Sequence, residues 1–564
     1  MKDLDAALHH GKEAAKLTKK GHPDRAGCLE HLAQCYRHYY IQFREPRYLE
    51  AVHTHYLEFF ESPTLTPEDV WATALDWASF AEEFQPSDCV TAYTAAFNLL
   101  PDLLWIGNSI PVRHEAIRRL EIGHKTSIAA KTCIDLSDLT TAVEIMEQGL
   151  ATIFQQMLQL KTDANQLQPA QAESLRMIST QLYSGNSENQ RGFAIERKDL
   201  LKEIHEQPGL EYFLLPKPYE VLRHASQGGP IVILNSHEDS CDGIIILDPT
   251  SSPIHVSLPN TTLEILQSQR AILKELLGRC NEYFTSKPPE ECFADLLAWL
   301  WTEIVSPVYQ VLDSHGIHNG RLWWLPTGAF AGLPLHAASG TDQFIHSYTA
   351  TLGSLLDAYT KKSSGTSKFG IVGVTHTGPH GTDYLKGVEE EVARISSIIK
   401  GPINFLDGKQ ATVDAVKVQL QDCSWVHLAC HGKQESGDPT KSYLKLYGGI
   451  LELDTILRMP LLNAEFVFLA ACQTAMGDAE LVNESFHLSG GFIAAGFRSS
   501  IGTLWAMNDQ DGPLVADIVY SYLFRDSSPP QAKDSAEALH IAIKELKARK
   551  VPYERWIPFI HMGV

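Results

Sequence analysis

The chain has 564 residues, 44 % of them apolar, and a formal net charge of −21. One hydrophobic core rarely grows past about 250–300 residues, so two or three domains are expected. The acidic balance argues against nucleic acid or an anionic membrane as partner, because both select clustered Lys and Arg.

The first 180 or so residues read as helical, rich in Ala, Leu, Glu and Gln with apolar spacing near 3.6. Helices are predicted over 22–43, 48–60, 68–84, 89–104, 113–134 and 138–160. Pairs recurring every 40–50 residues suggest an irregular array of helical hairpins of the tetratricopeptide kind. Such an array offers a concave surface to a protein partner; a purely structural helical layer fits the same pattern. Residues 162–200 are polar, with a helix predicted near 169–183. From residue 208 the character changes. GPIVILNS (229–236), GIIILD (243–248) and PIHVSL (253–258) are short β-branched runs between turn residues, expected to form a small antiparallel sheet. Helices follow at 261–278 and 292–312.

From 321 onward, apolar strands alternate with helices. The predicted strands are 321–326, 369–374, 403–406, 424–430, 465–472 and 499–505. The predicted helices are 387–400, 411–421, 484–496, 511–524 and 532–548. This alternation predicts a mostly parallel sheet covered on both faces, with active groups at the carboxyl ends of its strands. The expected domains are 1–195, helical; 208–290, a small β-containing connector; and 291–564, the α/β domain.

Two predicted strands end in chemistry. SWVHLAC runs into His431 and Gly432, and EFVFLAA runs into Cys472. If the strands are neighbours, imidazole and thiol converge at one edge. A thiolate is the attacking species and a nearby imidazole can take its proton, then return one to a leaving amine. The N–H of Gly432 can join that of Cys472 in an oxyanion hole. A buried, inert cysteine at a strand end fits the same spacing.

HLACHG (427–432) followed by FLAACQTAMGD (468–478) resembles the paired signature of CHAT peptidases, relatives of caspases and separases. RLWWLPTGAFAGLPLHAA (321–338), HSYTATLGSLL (346–356), LKGVEEEV (385–392) and GGFIAAGFRSSIGTLWAMNDQDG (490–512) resemble other segments of that domain. HPDRAGCLEHLAQCYRHYY and AVEIMEQG resemble the helical arrays that precede it in fungal proteins. Two positions depart from the pattern: Lys386 stands where the family usually has Pro, and Leu150 where it often has Arg. The resemblance implies a multidomain chain: an N-terminal all-α TPR-like array, the connector, and a C-terminal caspase-like α/β/α sandwich. It makes Cys472 the nucleophile, His431 its partner and His427 structural. Asp509, or Asp511 two residues on, falls where separase-like proteins line a pocket for a basic P1 side chain. An Asp capping the next helix is the competing reading. The implied activity is cysteine endopeptidase, needing no cofactor and no metal. It acts on a protein substrate, with a gasdermin-like pore-forming protein as a candidate. A regulatory protein partner on the helical repeats and a role in defence or cell-death signalling complete the expectation. A catalytically inactive scaffold is the alternative.

Other patterns are weaker. The ten cysteines form no CxxC and do not read as a disulfide framework. His427, Cys430 and His431 could suggest a metal, but alternation on a strand turns 427 and 430 apart. THTGPHGTD, with His376 and His380, reads as a solvated loop. His336 and Ser339 lack a GxSxG elbow and read as part of a packed segment. With no membrane-length apolar run and no signal-peptide h-region, a cytoplasmic location is expected.

Overall fold

The computed structural model describes residues 2–62, 65–104, 110–150, 167–184, 190–207, 210–213, 215–278, 287–361, 368–378, 384–435, 439–472, 488–526 and 529–564. It divides into two compact units, Met1–Trp105 with Ile128–Gly149, and Ile106–Ser127 with Leu150–Val564.

The first unit is helical. Its helices include Lys2–Leu17, Arg25–Phe43, Pro46–Phe60, Pro67–Phe84, Ser87–Phe97 and Leu139–Gly149. Thr66 starts the fourth by a capping box: its hydroxyl accepts from Asp69 N at 3.2 Å, and the Asp69 carboxylate accepts from Thr66 N at 3.4 Å. Two orphan donors of the first turn are thereby satisfied. Ala74, Ala78 and Ala81 on that helix and Cys89, Ala92 and Ala96 on the next are fully buried, and side chains this small let two helices approach closely. Trp77 stacks on Tyr56 at 5.1 Å, filling the space beside them. The single helix predicted over 113–134 is two, Ile110–Arg119 and Ile122–Asp135. They part at Glu121, whose φ of 51° is left-handed and cannot continue a right-handed helix. The helix predicted over 138–160 is observed to Gly149, and residues 151–166 lie outside those described.

Among the described residues of the second unit, thirteen strands form one sheet. They are β1 (Ile231–Asn235), β2 (Cys241–Ile246), β3 (Ile254–Leu258), β4 (Gly320–Pro326), β5 (Phe344–Tyr348), β6 (Phe369–Gly373), β7 (Ile403–Asp407), β8 (Trp425–Lys433), β9 (Tyr443–Leu446), β10 (Gly449–Glu452), β11 (Phe466–Cys472), β12 (Ser499–Thr503) and β13 (Phe559–Gly563). The order is β10-β9-β8-β11-β12-β13-β5-β4-β1-β2-β3, with β6 also on β8 and β7 on β6. Parallel pairings predominate: β6 with β7 and β8, β8 with β11, β11 with β12, β13 with β5, β5 with β4, and β4 with β1. The β1–β3 meander is antiparallel, yet β1 joins β4, so it extends the large sheet instead of standing apart.

Both faces of the central strands are covered, as parallel sheets require. On β11, Phe466 and Phe468 belong to the core that holds Val515, Val519 and Tyr520 of the helix Gly512–Leu523. Val467 and Leu469, turned to the other face, are equally buried. That is why EFVFLAA reads as an unbroken apolar run. Strands β5, β9, β10 and β13 were not among the predicted elements. β9 and β10 are four residues each, and β13 contains His561 and lies between β12 and β5, partners remote in sequence.

Candidate active site

Among the described strands β8 is the longest, and its neighbour changes along its length. Trp425–Ala429 pair with β6 in parallel, whereas His431, Gly432 and Lys433 pair with Lys445, Leu444 and Tyr443 of β9, antiparallel. On its other side β8 runs beside β11 throughout, in unbroken register from Phe466↔Trp425 to Cys472↔His431. The two sequence-predicted residues are thus facing positions on adjacent parallel strands, which lie about 4.8 Å apart. They sit at the carboxyl ends, at the point where β6 gives way to β9. In α/β sheets ligands bind outside the carboxyl ends of the strands. Gly432 follows directly, opposite Leu444. The segment 473–487, including the loop after Cys472, lies outside the described residues.

Four residues upstream on β8, His427 is fully buried. Its Nδ1 is 3.1 Å from the Tyr520 hydroxyl, and its ring lies 5.0 Å from that of Phe468. Its Nε2 is 3.4 Å from Oε1 of Glu391, a close approach without hydrogen-bond alignment. Burial, then the Glu391 charge, pushes the Tyr520 phenol well above its ordinary pKa, so it stays protonated. Glu391 was not anticipated. On the helix Lys386–Ile398 it shares the buried stripe of Val388, Val392 and Ile395. A carboxylate inside an apolar helical stripe is a signal present in VEEEVARI itself.

Asp509 and Asp511 have different surroundings. Asp511 is 3 % exposed, and Arg555 grips it in a fork, Nε to Oδ2 at 2.8 Å and Nη2 to Oδ1 at 2.6 Å. Its carboxylate is satisfied within the fold. Asp509 is half-buried and accepts from Gly387 N at 2.7 Å through Oδ2. Gly387 is the second residue of the helix Lys386–Ile398, so Asp509 does cap a helix. The helix is not the one that begins at Gly512, where Asp511 makes no side-chain cap.

The remaining candidates serve packing. His336 donates from Nε2 to the Ile557 carbonyl at 2.9 Å and lies 2.9 Å from the Tyr348 hydroxyl through Nδ1; burial holds its pKa down to about 3. Cys430 and Cys423 are buried, and burial raises the Cys423 thiol. His380 lies outside the described residues. Among the described residues no group of three or more His, Cys, Asp or Glu could hold a metal, and no helix is long and apolar enough to cross a membrane.

The sequence model of the CHAT domain matches residues 294–564, which include both strand ends. This part of the chain is similar to CHAT domains. Its fold is that of separase. The Saccharomyces cerevisiae separase–securin complex aligns with 99 % of this chain at a TM-score of 0.51 and 9 % identity, covering 45 % of the separase chain. A second structure of that complex gives 0.39 and 11 %, over 99 % of this chain and 48 % of the other. The complex of the RgpB pro- and mature domains of Porphyromonas gingivalis gives 0.32 and 9 %, over 53 % of this chain and 75 % of that one. The chain therefore spans less than half the length of the separase chains it matches. No curated protein matches it. Within the CHAT domain, β8 and β11 are the strands that carry the HLACHG and FLAACQ segments.

Proposed function

We propose that the CHAT domain is a cysteine endopeptidase in which Cys472 is the nucleophile and His431 its acid–base partner. The observation that carries this reading is the register: Cys472 and His431 face each other across adjacent parallel strands, at the edge where such sheets do their chemistry. The Cys472 thiolate attacks the scissile carbonyl carbon, forming a C–S bond and an oxyanion. The backbone N–H groups of Gly432 and Cys472 receive that oxyanion. Collapse breaks the C–N bond as His431 gives a proton to the leaving amine. Water, losing a proton to His431, then cleaves the thioester and frees the carboxylic acid. The chemistry draws on no cofactor.

A preference for Arg or Lys at P1 rests on Asp509 alone, since Arg555 occupies Asp511. The helical N-terminal half is proposed as a TPR-like array that receives a regulatory protein. The separase to which the whole chain is similar in fold was solved together with securin, which supports that direction. A pore-forming, gasdermin-like protein in the cytoplasm is the proposed substrate class, in defence or cell-death signalling.

A peptide library varied at P1 tests the core of this reading, with wild type set against Cys472→Ala. Cleavage by the wild type and none by the variant is expected. Equal cleavage by both removes Cys472 as nucleophile. Inactivity of the wild type, with candidate partners added, favours a scaffold.

A further inference from the structure

Gly387 and Asp509 are 122 positions apart in sequence, yet the helix that follows β6 and the segment that follows β12 meet at them. A Cβ on Gly387 would fall well inside the van der Waals shell of Asp509 O, 2.7 Å from Oδ1 and 3.0 Å from Cγ. The loop after β12 can approach this helix only because the residue is glycine. The contact is one half of a clasp. Glu391, one turn further along the same helix, lies against Gly512, the first residue of Gly512–Leu523. A Cβ on Gly512 would stand 3.2 Å from Glu391 Oε2 and 2.8 Å from Met507 Cε. Each helix thus has a carboxylate from the other's segment at its amino end, where the helix dipole favours negative charge. The residues between, 506 to 511, are held at both ends.

We propose that Gly387 is the positioning residue of the P1 pocket: by admitting the Asp509 backbone and donating its N–H, it fixes where the Asp509 carboxylate stands. The proposal rests on the peptidase reading and on Asp509 meeting a basic side chain. The bond to Gly387 does not exhaust Asp509, because a carboxylate has about four acceptor sites and a guanidinium fork can use the others. What Gly387 supplies is the geometry, and a displacement on the order of 1 Å in a charge-recognition site is enough to lose most of its benefit.

The test uses the full chain as wild type, Asp509→Asn, Gly387→Ala and the double variant. kcat and KM are measured on a peptide with Arg at P1. Binding of benzamidine, a rigid stand-in for the guanidinium, is measured on the same four in a Cys472→Ala background, so that it is read without turnover. Gly387→Ala is expected to raise KM and weaken benzamidine about tenfold. It should leave kcat within about twofold and have no added effect once Asp509 is Asn, as residues acting through one another are non-additive. Wild-type benzamidine affinity in Gly387→Ala overturns the proposal, as does an equal loss in the Asp509→Asn background or no benzamidine binding at all. If no form cleaves peptide while benzamidine binding follows the expected pattern, the peptidase reading fails and the positioning role stands. Should Gly387→Ala not fold, Gly512→Ala strains the other half of the clasp and carries the test, with a weakening of about threefold expected.

Discussion

The sheet holds histidines on two kinds of ground. Near the end of β8, His431 sits where the strand changes neighbours from β6 to β9. Around β4, β5 and β13 the histidines are locked in. Trp324 Nε1 donates to His346 Nδ1 at 2.9 Å, and His346 Nε2 donates to the Thr341 carbonyl at 3.1 Å. His561 bonds Ser499 Oγ at 2.6 Å through Nε2, while Ser347 Oγ lies 3.0 Å and Arg321 Nη2 3.3 Å from its Nδ1. These imidazoles are fixed as neutral tautomers. A second proton on His346 would set one N–H against another. The contrast sets polar groups spent on holding the fold beside His431, for which the proposed function needs a place at the carboxyl edge of the sheet.

The largest expected effect belongs to the spent group. Burial holds the pKa of His336 to about 3 and that of His346 to about 4, against about 6.5 in an unfolded chain. Both therefore bind protons more readily unfolded, and stability falls as pH falls. Their contribution is complete above about pH 6.5. Below it the loss is about 1.4 kcal/mol per pH unit for each histidine, or about 5 kcal/mol for the pair by pH 4.5. Denaturant titrations at pH 6.5, 5.5 and 4.5 measure it. His346→Gln, which cannot titrate, should remove its own share of the slope, about 1.4 kcal/mol per pH unit; a slope unchanged in that variant would break the assignment. Next comes the edge. His431→Ala is expected to lower kcat about 10³-fold, the usual scale of a lost acid–base group, with the melting temperature kept. Loss of stability in step with activity would move His431 into the spent class.

How legible was this in the sequence? β8 and β11 were readable because each is buried on both faces and so runs as continuous apolar sequence until it meets His431 or Cys472. Their adjacency was not readable. Strand pairing is non-local, and only the register sets residue 431 beside 472. The CHAT signature stood in for that missing geometry. His427 as a structural residue followed from the motif. Glu391 opposite it could have been suspected from its stripe, but its partner could not. β9 and β13 escaped because short strands with polar residues are made by their neighbours. The two acids show the same limit. Asp509 and Asp511 are equivalent in sequence, and what separates them is Arg555, 44 residues from Asp511.

That pair gives the smallest effect and the sharpest division. Asp511 is buried and doubly bonded, so Arg555→Ala leaves a carboxylate without its partner inside the fold. Breaking such a pair costs about 3 kcal/mol, because the remaining charge stays desolvated. Denaturant midpoints should fall accordingly. Arg555→Lys should recover part of the loss, since an ammonium supplies the charge without the fork. Selectivity at P1 should be unchanged in the molecules that remain folded, whereas Asp509→Asn should raise KM for an Arg peptide and leave stability nearly intact. The reverse pattern, stable Arg555→Ala with relaxed P1 preference, would transfer the pocket to Asp511 and make Arg555 the group a basic substrate side chain must displace. The fork argues against that exchange: an incoming guanidinium would have to replace two aligned, charge-assisted bonds with no better geometry available to it.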